Sequence, residues 1–153
     1  MKIWKIIAGI FLLALIVIQF IPNELPPNNE LLDSDLIANA GVDPEVGNLL
    51  QASCYDCHSS QVNYPWYSYV APVSWLVRKD VLEGTEELNF SEWNNYSKRR
   101  MIKKLDEIKE EVADGKMPLK IYTAIHRNAV LDDDQVTMIS DWVDQYSLSL
   151  LEE

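Results

Sequence analysis

The sequence predicts an all-α protein: one membrane-spanning helix at the N-terminus, then a small helical domain. Three observations carry that prediction. Residues 3–21, IWKIIAGIFLLALIVIQFI, form an apolar run interrupted only by Lys5 and Gln19. Residues 97–114 place Met101, Leu105, Ile108 and Val112 at spacings of four, three and four, the stripe made by one face of an α-helix. No stretch alternates polar and apolar residues like a half-buried strand, and none carries hairpin turn chemistry.

As a helix, residues 3–21 span about 28 Å, enough to cross the hydrocarbon core of a bilayer. A cleaved signal peptide has a shorter apolar core and small residues before the cut. Here the run ends in Gln19-Phe20-Ile21-Pro22-Asn23 without an A-x-A pattern, and no cysteine precedes Cys54 to carry a lipid. Residues 1–21 are therefore expected to stay as an anchor. A core helix packed on one face would not need so continuous an apolar run. Lys2 and Lys5 precede the run, whereas Glu24, Glu30, Asp33 and Asp35 follow it. Positive charge stays cytoplasmic, so the domain is expected in a bacterial periplasm or its equivalent, an oxidising compartment.

Thirteen basic residues stand against twenty-four acidic ones. Setting Lys2 and Lys5 aside leaves eleven against twenty-four, a formal −13 for the remainder. Such a surface repels phosphate backbones, which argues against a nucleic-acid partner.

Residues 22–40 read as a tether, because PNELPPNNELLDSD at 22–35 is rich in proline, asparagine and acid and has no periodicity. The domain proper is expected over 41–153. A first helix starts at Asp43-Pro44-Glu45, with Asp as N-cap and Pro in the first turn, and carries Val46, Leu49 and Leu50 toward Cys54. After the aromatic block Tyr64, Trp66, Tyr67, Tyr69 and Trp75, a helix is expected from about 72 to 83. The helix over 97–114 ends at Asp114-Gly115, with Gly as C-cap. Its charges run against the helix dipole, from Lys98, Arg99, Arg100, Lys103 and Lys104 to Asp106, Glu107, Glu110 and Glu111. Either the helix begins earlier, near Ser91-Glu92, or the basic cluster has another task. The last helix opens on Asp132 with Gln135 three residues on, a capping-box start, and turns Val136, Ile139, Trp142 or Val143, and Tyr146 inward.

The chemistry is concentrated in residues 54–58, C-Y-D-C-H. Cys54 and Cys57 are the only cysteines, and His126 is the only other histidine besides His58. Two thiols three positions apart can each add to one vinyl group of a porphyrin, and the next residue, His58, can then reach the iron. C-x-x-C-H is the attachment signature of haem c, covalently bound. A redox dithiol would want a strand before the first Cys and a helix after it, and no strand is evident. A structural zinc site needs four ligands, and Cys57 and His58, as neighbours, would struggle to reach one ion together. Haem is the favoured reading of the three.

An electron-carrying haem iron takes a second axial ligand, most often Met or His. Met101 and Met138 fall inside expected helices and read as core. Met117 lies in D-G-K-M-P-L, just past a helix C-cap, and Pro118 biases it toward an extended backbone. Met117 is the expected distal ligand and His126 the rival. The aromatic block reads as core, as pocket wall, or as both. Arg78 and the Lys98–Lys104 cluster read as solvated surface, with propionate pairing or partner docking as the minor alternatives.

These motifs together resemble the haem-binding domain family of small bacterial c-type cytochromes. The resemblance covers roughly residues 30–148. It rests on Cys54-Tyr55-Asp56-Cys57-His58, Tyr64-Pro65-Trp66-Tyr67, Pro72-Val73-Ser74-Trp75, Met117-Pro118-Leu119 with Tyr122 and His126, and the closing helix with Trp142. It implies a cytochrome c-like helical fold, thioether links at Cys54 and Cys57, His58 proximal and Met117 distal. In some relatives the domain accompanies cytochrome c or peroxidase domains, which implies redox partners of those kinds. This chain has no second C-x-x-C-H and departs from a dihaem peroxidase. The expected function is that of a membrane-anchored single-haem electron carrier rather than an enzyme. The alternatives are a haem-based sensor and an accessory to a cytochrome c peroxidase.

Overall fold

The computed structural model of the chain describes residues 2–39 and 41–152; Met1, Ala40 and Glu153, the outer limits of the expected anchor, tether and domain, lie outside them. Among the described residues all regular structure is helical.

Helix α1, Lys2–Val17, runs into a 3-10 turn over Ile18–Phe20. Nothing in the span Ile3–Phe20 is buried inside the protein, so its apolar surface has no internal partner. The interruption at Gln19 proves to be a connector. Its side-chain amide donates to the Ala71 carbonyl and accepts from the Ala71 N–H, both at 3.0 Å, and also donates to Leu15 O at 2.8 Å.

Residues 22–35, expected as a spacer, are laid along the domain instead. Arg78 Nε donates to Glu24 O at 2.9 Å, Tyr64 OH to Pro26 O at 3.0 Å, and the Asn29 N–H to Ser60 O at 2.7 Å. Packing becomes complete at Asp35 and Leu36, both fully buried at the start of the short helix α2, Leu36–Asn39.

Helix α3, Pro44–Ser53, has the expected N-cap, with Asp43 accepting from the Glu45 N–H at 2.8 Å. It passes at Cys54 into the single turn α4, Tyr55–His58. Helix α5, Val73–Glu87, runs four residues beyond the expected end. A 3-10 segment, Phe90–Asn95, then supplies Phe90 and Trp93, both fully buried, and the Trp93 indole N–H donates to Tyr146 OH at 3.0 Å.

Helix α6, Lys98–Ala113, starts at its Ser97 cap and not near residue 91. All four stripe residues, Met101, Leu105, Ile108 and Val112, are buried as the spacing predicts. The unfavourable charge order is resolved by pairing. Lys104 is buried and bonded to Glu87 and Glu107, Lys103 pairs with Glu107 at 3.1 Å, and Arg100 lies 4.0 Å above the Tyr96 ring. A dipole penalty of a few tenths of a kcal/mol per charge is outweighed by such contacts when one is desolvated.

Helix α7, Lys120–Ile125, was not foreseen; six residues are too few to show a periodicity. Helix α8, Asp133–Glu152, opens with the reciprocal capping box, Asp132 N–H to Gln135 Oε1 at 3.0 Å and Gln135 N–H to Asp132 Oδ1 at 2.9 Å. It packs on α6 through Ile139 and Val143, fully buried, with Val136, Trp142 and Tyr146 at the margin. The core thus lies between α3, α6 and α8, and α5 lies against α4 on the motif side.

Candidate functional site

The C-Y-D-C-H turn is held by hydrogen bonds on every side. The Cys54 N–H donates to Leu50 O at 2.8 Å, and the Cys57 and His58 N–H groups both return to the Cys54 carbonyl, at 3.1 and 2.9 Å. Each residue between the cysteines is an anchor. Tyr55 turns inward, stacks on Phe90 at 5.1 Å and donates its hydroxyl to Asp35 at 2.8 Å. Asp56 accepts from the Asn63 N–H at 2.9 Å and from Tyr122 OH at 2.7 Å, tying the motif to α7.

Beside this turn is a cavity of about 420 Å3, within the range of small-molecule and cofactor clefts. Cys57 and His58 form one wall, with Val73, Leu76 and Val77 of α5 alongside. Met117, Tyr122, Ile125 and His126 close the cavity from the α7 side. The fold therefore brings Met117 and His58 to one cavity. Cys54 is not on its wall; it is half-buried against the core cluster, one turn from Cys57. Met101 is core and Met138 packs against it, as expected.

His58 is fixed in one tautomer. Its Nδ1 lies 2.9 Å from the Gly84 carbonyl and 3.3 Å from that of Leu88. Carbonyl oxygens only accept, so Nδ1 carries the proton and Nε2 keeps its lone pair. Burial pushes the imidazole below its ordinary pKa, although the two carbonyls oppose that shift. A neutral ring with one nitrogen tied to a backbone carbonyl is how metal-binding histidines are oriented.

Gly84 makes this approach possible, and nothing in the sequence marked it. A Cβ at Gly84 would lie 2.4 Å from the Cys57 carbonyl oxygen and 3.0 Å from its carbon. Only glycine lets α5 lie this close to the motif.

Met117 is set by the end of α6. Gly115 adopts φ +64°, and the N–H groups of Lys116 and Met117 both turn back to Glu111 O, at 3.0 and 3.1 Å. The side chain is half-buried on the cavity wall. His126, on the same wall, is engaged with its neighbours: its Nε2 hydrogen-bonds Tyr67 OH, and its ring stacks on Tyr122 at 4.1 Å. Burial, then Asp56, pushes both phenols upward in pKa.

The aromatic block divides, contrary to a uniform core or pocket role. Tyr64 and Tyr67 line the cavity and Trp75 is half-buried, but Trp66 and Tyr69 are 77% and 68% exposed. The lining includes Asp56, Asp80, Glu83 and Glu87, and no Lys or Arg among the described residues. Burial raises the Asp80 pKa. Neither Arg78 nor the basic start of α6 reaches the cavity wall.

The donor set fits a haem. Burial holds both thiols protonated, with pKa values pushed up to about 12, the opposite of the lowered thiol of a redox dithiol. Among the described residues no three of His, Cys, Asp and Glu converge as metal ligands, so the residues do not form a structural zinc site. The cavity offers a neutral imidazole, a thioether, apolar walls and a thiol at its edge.

Residues 13–145 match the family model of the haem-binding domain. The chain belongs to the haem-binding domain family. Cys54 and Cys57 of this haem-binding domain, in C-x-x-C spacing, are compatible with covalent haem c. Neither a curated protein nor a solved structure matches the chain.

Proposed function

We propose that this protein is a membrane-anchored, outward-facing c-type cytochrome that carries single electrons on one covalently attached haem. Cys54 and Cys57 form the thioether links, His58 is the proximal ligand and Met117 the distal one. Bound in this way, haem supplies a one-electron Fe(II)/Fe(III) couple.

The observation that carries the reading is His58, whose Nδ1–H is held by the Gly84 carbonyl so that Nε2 keeps its lone pair, in a cavity that also receives Met117. Each side chain then has a defined task. The Gly84 carbonyl orients the imidazole and raises its basicity as a ligand. Burial keeps the Cys54 and Cys57 thiols protonated, and these two side chains would hold the haem covalently. Apolar walls from α5 and α7 exclude water, which favours the less charged reduced site. Met117 is preferred to His126 because the His126 Nε2 is already engaged with Tyr67. Redox partners of the kinds the family resemblance implies, other cytochromes or a peroxidase, would dock transiently through charge on this acidic domain.

The apolar helix α1 supports retention in a bacterial inner membrane, with Lys2 and Lys5 on the cytoplasmic side and the domain in the periplasm.

Met117→Ala is the test of the distal assignment. The reduced variant is expected to become high-spin and to bind carbon monoxide, which the wild type resists, whereas His126→Ala keeps the wild-type low-spin spectrum. A Met117→Ala protein that stays six-coordinate and low-spin would contradict it.

A further inference from the structure

The segment 66–73, WYSYVAPV, has no charged residue in a domain that is otherwise strongly acidic. Its outer side chains are left in the open: Trp66 is 77% exposed, Tyr69 68% and Val70 41%. They belong to neither the core cluster nor the cavity wall.

Their place along the anchor says what covers them. Ile3–Phe20 as a helix is about 27 Å long, close to the hydrocarbon thickness, so its last residues come to the outer boundary of the bilayer core. Gln19 is one of those residues, and its amide grips both backbone groups of Ala71. The segment is therefore pinned at the depth where the anchor leaves the lipid. Phe20, which follows Gln19 in the chain, is 81% exposed.

We propose that the outer face of residues 66–70 rests on the bilayer interface, with Trp66 and Tyr69 seated among the lipid headgroups and Val70 against the acyl boundary. The proposal rests on the anchor reading above. Trp and Tyr favour this zone because each has an apolar body and a polar tip. Attraction between charges cannot supply the contact, since an acidic domain is repelled by anionic headgroups. An uncharged aromatic face suits the role. Tyr67 and Ser68, on the inner side of the same segment, line the cavity, so this seating also holds the cofactor next to the membrane surface.

Photocrosslinking of the full-length haem-loaded protein in lipid nanodiscs tests this. Benzoylphenylalanine is placed singly at Trp66, Tyr69, Phe11 within the anchor, and Thr137 on α8, all of them exposed positions where a bulky ring fits. Lipid adducts are expected at 66, 69 and 11, with none at 137. Lipid adducts at 11 but not at 66 or 69 overturn the seating, as do protein–protein adducts at 66 and 69, which would mean a second copy or another protein covers the face. No lipid adduct at 11 would overturn the anchor itself, and this proposal with it.

Discussion

Gly84→Ala is expected to lower stability by about 2 kcal/mol and to cut haem incorporation sharply, although alanine is the better helix former. The interior of α5 alone would gain about 1 kcal/mol from the substitution. Against that gain stands a Cβ placed 2.4 Å from the Cys57 carbonyl oxygen. The obstacle is backbone, held by the hydrogen bonds of α4, and it cannot rotate away like a flexible side chain. Overpacking of this kind costs about 1–3 kcal/mol and is relieved by displacing the helix. Moving α5 outward removes the Gly84 carbonyl from His58 Nδ1, and with it the orientation of the ring. Urea denaturation and the haem-to-protein ratio read the two consequences separately. A Gly84→Ala protein with wild-type stability and full haem would mean that α5 does not press on the motif.

Asp35→Ala carries the second large effect, about 3 kcal/mol or more in the same denaturation experiment. The fully buried Asp35 carboxylate accepts from Tyr55 OH at 2.8 Å, Gln61 Nε2 at 3.0 Å, Ser91 Oγ at 3.2 Å and the Ile37 N–H at 2.9 Å. Removing it leaves the buried Tyr55 and Ser91 hydroxyls without an acceptor, at about 1–3 kcal/mol each. Asp35→Asn keeps one acceptor oxygen but turns an NH2 toward the remaining donors, so a smaller loss is expected. The loss reaches the site because Tyr55 is the first residue inside the motif. An Asp35→Ala variant within about 0.5 kcal/mol of wild type, the range of ordinary surface substitutions, would contradict this role.

The difference between what the sequence revealed and what it concealed follows the range of each signal. Periodic and local patterns were legible. The α6 stripe, the Asp43 and Asp132 caps, the apolar α1 and the C-x-x-C-H turn each occupy one contiguous stretch, and all appear where expected. Met117 was legible as a loop residue just past a cap, and it does reach the cavity.

Residues whose meaning depends on a distant partner were not legible. Asp35 sits in a run of acids and reads as solvent-facing until Tyr55 and Ser91 arrive from twenty and fifty-six positions away. Gln19 reads as a flaw in an apolar helix until it meets Ala71. Gly84 lies just past the expected end of its helix and carries no signal of its own, and only the close crossing of α4 and α5 gives it a reason. Asp56 and Tyr122 stand sixty-six positions apart with no local pattern linking them, yet together they join the motif to α7. Trp66 and Tyr69 mislead in the other direction, because aromatic density implies burial when no neighbouring surface is considered.

The central claim is that Cys54 and Cys57 hold a haem covalently, and intact mass spectrometry of the protein made alongside a cytochrome c maturation system tests it most directly. The expected result is a polypeptide heavier by one haem, with a pyridine haemochrome spectrum of the bis-thioether type. In a Cys54→Ser, Cys57→Ser variant both are lost. An unmodified polypeptide mass, with any haem extractable into acidic organic solvent, would contradict the account.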